Sequence, residues 1–93
     1  MNGDEKLTML KKDLQMTTKS NDDYLSHLLS YSGQEMERMG IRIEETIECD
    51  SLQIMYAAYL FRKRAGTETN MPRFLRVGLN NLLLSQKGRT NDI

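Results

Sequence analysis

Apolar residues recur at spacings of three and four along this chain, in blocks separated by polar breaks, and that period predicts helices. Leu7, Leu10 and Leu14 share one face of a first, short helix. The following TTKSNDD is rich in side chains that hydrogen-bond their own backbone, so it reads as a break. Ser20, with Asp23 three positions on, resembles a capping box opening a second helix. Tyr24, Leu25, Leu28, Leu29, Ser32 and Met36 then form a stripe at the helical period, and Gly40 stands where a left-handed terminal residue is wanted.

A third helix is expected in ECDSLQIMYAAYLFRKRAG, from Glu48 to the stop at Gly66. Asp50 with Gln53 offers a second capping box. Ile54 to Phe61 is an unbroken apolar run, which predicts a helix buried on most sides or covered by a neighbouring subunit. Arg62, Lys63 and Arg64 fall in its last turn, where cations suit the helix dipole. Between the second and third helices, IRIEETI alternates apolar and polar positions. With no second strand to pair with, it is expected to be an ordered loop that packs Ile41, Ile43 and Ile47 against the bundle. GTETNMP is a turn, and a fourth helix is expected from Pro72 to about Gln86, with Asn70 as cap. Leu75, Leu79, Leu82 and Leu83 form its apolar face, Phe74 and Leu84 flank it, and Arg73 and Arg76 lie on another side. Gly78 costs about 1 kcal/mol relative to alanine inside a helix, so its presence suits a close helix crossing. The final KGRTNDI has no periodicity and is expected to be a mobile tail.

Composition agrees with an all-α reading. Thirteen Leu and seven Met stand against five Ile and one Val, a balance that favours helix over strand. Ninety-three residues make one domain, here residues 1–86 with 87–93 as a flexible tail. A chain of this length buries only roughly 60–65% of its extended surface, and apolar residues make up 39% of it. Partner subunits are therefore an expected source of stability.

Chemistry is sparse. Cys49 and His27 are the only residues of their kinds, so neither an intrachain disulfide nor a Cys/His metal cluster is expected. A lone thiol fits a reducing cytoplasm. Glu44, Glu45 and Glu48 form the densest acidic group but lack ligand company. There is no phosphate-binding glycine loop and no nucleophile–base pair at a recognisable spacing. No enzymatic activity, cofactor or metal is expected. Neither a membrane span nor a signal peptide is expected, since no apolar window approaches 18 residues and MNGDEK opens on acids.

The net charge of zero hides an asymmetry. Residues 1–50 carry eleven acids and six bases, whereas residues 51–93 carry two acids and seven bases. One outcome is that the fold mixes these charges again. The other is a subunit with unlike acidic and basic sides, as head-to-tail association requires.

The segments LKKDLQMTTKSNDDYLSHLLSYSGQEMERMGI, SLQIMYAAYLFRKRAG and MPRFLRVGLNNLLL, in that order and spacing, resemble the small head–tail connector proteins of tailed bacteriophages. These are also called head-completion or adaptor proteins and are often described as DNA-packaging proteins. The resemblance spans about Leu7 to Gln86, and no single residue is diagnostic. It implies an all-α subunit, a small bundle of about four helices, that assembles into a homo-oligomeric ring, typically a dodecamer. The ring sits beneath the portal protein and joins it to a downstream tail or stopper protein. DNA passes through its channel without sequence-specific binding. The place implied is the head–tail interface of the virion, with the host cytoplasm during assembly. On this reading Glu44, Glu45 and Glu48, or acids of the second helix, face Arg62, Lys63, Arg64, Arg73 and Arg76 of a neighbour. The tail, through Lys87, Arg89 and Ile93, docks on the portal. One alternative is a small helical DNA-binding regulator, suggested by the short second helix and the basic C-terminal half; another, with less in the sequence to support it, is a helical partner-binding module that works as a dimer. The two acids opening the second helix oppose the regulator, because phosphates repel them.

Overall fold

A computed structural model describes residues 1–67 and 70–90, the side chains at 89 and 90 excepted. Four helices follow one another: α1 (Gly3–Asp13), α2 (Asp22–Arg38), α3 (Ile47–Arg64) and α4 (Arg73–Thr90). Among the described residues there is no strand, and the fold is an all-α bundle as expected.

Local chemistry sets the helix ends, in places one turn from where the sequence pattern suggests. Helix α1 starts earlier than its leucines indicate. Asn2 accepts from the Glu5 amide at 2.8 Å, and Glu5 accepts from the Asn2 amide at 3.2 Å, completing a reciprocal box. Helix α2 is preceded by Asn21 rather than capped by Ser20, and no side chain caps it. Helix α3 is capped by Thr46, whose hydroxyl accepts from the Cys49 amide at 3.1 Å. Asp50 therefore lies inside the first turn instead of capping it.

The first three helices end in one motif. Gly40 and Gly66 have φ of 98° and 81°, and the following residues, Ile41 and Thr67, donate back to Met36 and Arg62 across the last turn. Gln15 closes α1 in the same way at φ 58°, with the Met16 amide on the Lys11 carbonyl. Helix α4 continues past the expected end at Gln86 to Thr90. Lys87 thus belongs to a helical turn rather than to a free tail. Ile93 and the Arg89 side chain lie outside the described residues.

Helix α3 is the spine. Its apolar run serves two cores at once. Ile54, Ala57 and Ala58 pack with Leu10, Leu25, Leu28 and Leu29 of α1 and α2. Cys49, Leu52, Tyr56 and Tyr59 pack with Met36, Ile41, Leu75, Leu79 and Leu82. This double burial is why the run lacks a polar face. Contacts give the directions. Lys6 meets Gln53 and Asp13 meets Arg62, so α1 runs parallel to α3. Tyr24 meets Arg64 and Leu29 meets Gln53, so α2 runs antiparallel to it. Gln86 meets Arg42 and Glu44 just before α3, so α4 is antiparallel as well. Helix α4 packs chiefly on α3 and forms one edge of a slab measuring 48 × 28 × 18 Å. At their crossing, a Cβ on Gly78 would lie 2.7 Å from Leu52 Cδ2, which is the close approach its glycine permits.

The connector packs differently from expectation. Ile41 is 2% exposed, but Ile43 is 37% and Ile47 is 83% exposed. Ile47 is the first residue of α3, and its helical phase points it away from both cores.

Candidate functional site

The topology sorts charge by the ends of the bundle, not by halves of the chain. The C-terminus of α1, the α1–α2 connection, the C-terminus of α3 and the N-terminus of α4 lie together. They carry Lys11, Lys12, Lys19, Arg62, Lys63, Arg64 and Arg73, against Asp13, Asp22 and Asp23, while Arg76 stands nearer the middle of α3, since Gly78 two residues on meets Leu52. The opposite end carries Asp4, Glu5, Glu35, Glu37, Glu44, Glu45, Glu48 and Asp50, against Lys6, Arg38, Arg42 and Lys87. From Glu48 to Arg64 the rise along α3 is about 24 Å, well beyond a Debye length of about 8 Å at physiological salt. Each end therefore presents its own sign.

Several of the residues expected at a subunit interface are engaged within the chain. Arg62 donates to the Asp13 carbonyl at 3.2 Å and to its carboxylate at 3.4 Å, tying α3 to α1. Arg64 stacks 5.0 Å from the Tyr24 ring centroid and donates to its hydroxyl at 3.3 Å. Lys63 sits 5.9 Å from the Tyr59 ring. Glu44 accepts from Gln86 Nε2 at 2.9 Å. By contrast, Arg73 and Arg76 on α4 and Glu45 and Glu48 at the other end are exposed. Among the described residues these four make no ion pair. The structure thus divides the expected interface set into groups that hold the fold and groups that face outward.

At the basic end an open cleft of about 430 Å³ is lined by Asn21, Tyr24, Phe61, Arg64 and Ala65. The Tyr24 and Phe61 rings pack tilted, 6.2 Å between centroids. The residues lining the cleft include no Ser, Cys, His, Lys, Asp or Glu. His27 is exposed, on the outer side of α2. Cys49 is fully buried, with its sulfur accepting from the Glu44 amide at 3.4 Å. Among the described residues, no three His, Cys, Asp or Glu side chains form a group that could hold a metal ion, and no helix is long and apolar enough to cross a membrane.

Two features have no simple sequence signature. The first is a buried polar network linking α1, α3 and α2. The Met1 amino group lies 3.0 Å from Asp50, and Lys6 lies 3.6 Å from Asp50 while donating to Gln53 at 2.8 Å. Gln53 in turn donates to the Leu29 carbonyl at 2.8 Å, and Ser32 bonds the Leu29 and Gln53 carbonyls. The second is the outer face of α4, where Phe74, Val77 and Leu84 are 64%, 43% and 65% exposed. They stand opposite the inward Leu75, Leu79, Leu82 and Gln86. A leucine-rich helix reads as one broad apolar face until packing shows which part is covered.

The phenols of Tyr31 and Tyr56 ionise above the usual tyrosine value of 10.0. For Tyr31 the main cause is a hydrogen bond to Glu35, followed by that carboxylate's charge. For Tyr56 it is burial, followed by the charge on Glu35.

No protein family, curated protein or solved structure matches the chain.

Proposed function

We propose that this chain is a structural subunit of a tailed-phage head–tail connector, which assembles on the portal as a ring and extends the DNA channel toward the tail. The observation that carries the reading is the separation of charge to opposite ends of a four-helix subunit. A ring of identical subunits needs two unlike surfaces that fit each other, and such ends set the polarity of contact. The order and spacing of the helical segments, which resemble the connector pattern, support the same reading. On it, Glu45 and Glu48 of one subunit face Arg73 and Arg76 of the next. Exposed pairs contribute only about 0–1 kcal/mol each, so they orient the subunits while apolar contacts hold them. The last turn of α4 and the residues after it, including Lys87, Arg89 and Ile93, dock on the portal. The partners are the portal above and a tail or stopper protein below. The subunit is not an enzyme, binds no cofactor and acts in the virion.

The test is electron microscopy of portal-bearing, DNA-filled heads that lack their connector, incubated with the chain. The expected result is a ring on the portal vertex with a channel wide enough for duplex DNA, and heads that no longer leak. Heads that bind no subunits would overturn the reading.

One observation favours the second reading, a DNA-binding regulator. The basic end gathers cations from α1, α3 and α4, as a phosphate-contacting surface would. Asp22 and Asp23 open α2 at that same end and oppose it. Binding to short duplexes over a salt series separates the two, since a regulator shows affinity that falls steeply with salt.

A further inference from the structure

The outer face of α4 suits one occupant: the same face of a second copy, related by a two-fold axis. The exposed stripe is Phe74, Val77, Asn81 and Leu84, at spacings of three, four and three. That spacing reads the same in both directions. Two α4 helices laid antiparallel therefore bring Phe74 against the partner's Leu84 and Val77 against its Asn81, and both halves of the contact are satisfied at once. A self-complementary patch is what a two-fold interface requires.

Charge selects the same arrangement. Helix α4 has no acidic residue, and Arg73 and Arg76 stand on its first turns. Its C-terminal part lies beside the acidic connector, because Gln86 is bonded to Arg42 and Glu44 there. Two copies set side by side in parallel would place basic end on basic end. Set antiparallel, they bring the end of α4 that carries Arg73 and Arg76 in each copy to the end of the other that carries Glu45 and Glu48, all four of which are exposed. The favourable charge contact therefore occurs twice in one dimer. Phe74 and Leu84, 64% and 65% exposed, supply the apolar anchors between the charged ends.

We infer that the free chain, away from any portal, is an antiparallel two-fold dimer held through the outer face of α4. This goes beyond the connector reading, because it concerns the state before assembly. It gives the subunit a closed form in which its exposed apolar stripe is covered, and which opens when a subunit joins a ring.

Sedimentation equilibrium of the wild-type chain over a concentration series tests the inference. Mass should rise from one chain to two and stop there. Phe74→Ser with Leu84→Ser should weaken association by about 30-fold or more, the size expected for losing interface anchors. Both positions are exposed, so circular dichroism and melting temperature should stay close to wild type. Arg73→Glu should weaken the dimer, and Glu45→Lys in the same chain should restore it. A monomer at every concentration overturns the dimer, as does a double serine variant that associates like wild type. Free chains that grow past two into rings also overturn it, while supporting the connector. Heads that take up no subunits, with the dimer intact, would instead sink only the connector reading.

Discussion

Leu52 and Gly78 meet so closely that there is no room for a methyl group between α3 and α4. Leu52 Cδ2 lies 2.7 Å from where a Cβ on residue 78 would stand, and Leu52 is 4% exposed within the core. Gly78→Ala gains about 1 kcal/mol of helix propensity but forces a packed leucine to move, at a cost of about 1–3 kcal/mol. The net expectation is a loss of about 1 kcal/mol in urea denaturation. In a Leu52→Ala background the obstruction is gone, so the same substitution should become stabilising. A double-mutant cycle reads that change of sign.

Gln15 holds a left-handed conformation at φ 58° that glycine adopts without penalty. The residue is exposed, so replacing it removes no core contact. Gln15→Gly should therefore stabilise the chain by about 0.5–1 kcal/mol, net of the extra freedom glycine has when unfolded. Gln15→Val should destabilise it. Thermal melting of the three proteins gives the order directly.

Asp50 and Gln53 are 4% and 7% exposed and join three helices through polar contacts alone. Asp50→Ala leaves Lys6 without its carboxylate partner in a largely buried place, and should cost about 3 kcal/mol. Gln53→Leu removes one of the two side-chain donors to the Leu29 carbonyl and the amide oxygen that accepts from Lys6, so it should also destabilise despite added apolar surface. Denaturant midpoints measure both, and amide exchange should rise first in α1, the shortest helix.

Tyr31 and Tyr56 should ionise above the ordinary tyrosine value of 10.0 in an alkaline titration followed by absorbance. Their folded-state values are raised, so the stability they contribute is fully present below pH 10.0 and is lost as pH climbs through the higher folded values. Glu35→Gln should bring Tyr31 down most, because its hydrogen bond to Glu35 is the leading cause. Tyr56 should shift less, since burial dominates there.

Charge reversal should separate structural cations from outward-facing ones. Arg73→Glu with Arg76→Glu should leave melting nearly unchanged and hinder association at low salt. Arg62→Glu with Arg64→Glu should also loosen the bundle, since these side chains contact Asp13 and Tyr24. The loss stays below about 1 kcal/mol per exposed ion pair. Melting curves and sedimentation at two salt concentrations check both pairs.

The sequence by itself determined the four helices, their order and most of their stops. Gly40 and Gly66 occupy the positive-φ positions expected of them, and Leu10, Leu25, Leu28, Leu29, Leu75, Leu79 and Leu82 are buried as their period requires. These features are local: a helix and its terminating residue are set by contacts three to five residues apart. The basic and acidic groups were legible too, as an imbalance between the halves of the chain. Only the tertiary structure decided which charges share an end, because Lys11, Lys12 and Lys19 join the basic cluster through the direction of α1. It also decided that Ile43, Ile47, Phe74 and Leu84 stay outside while Ile41 goes in, and that Gln86 clasps Arg42 and carries α4 on to Thr90. Burial depends on which element arrives at a given face, and a one-dimensional pattern marks apolar positions without saying which of them will be covered.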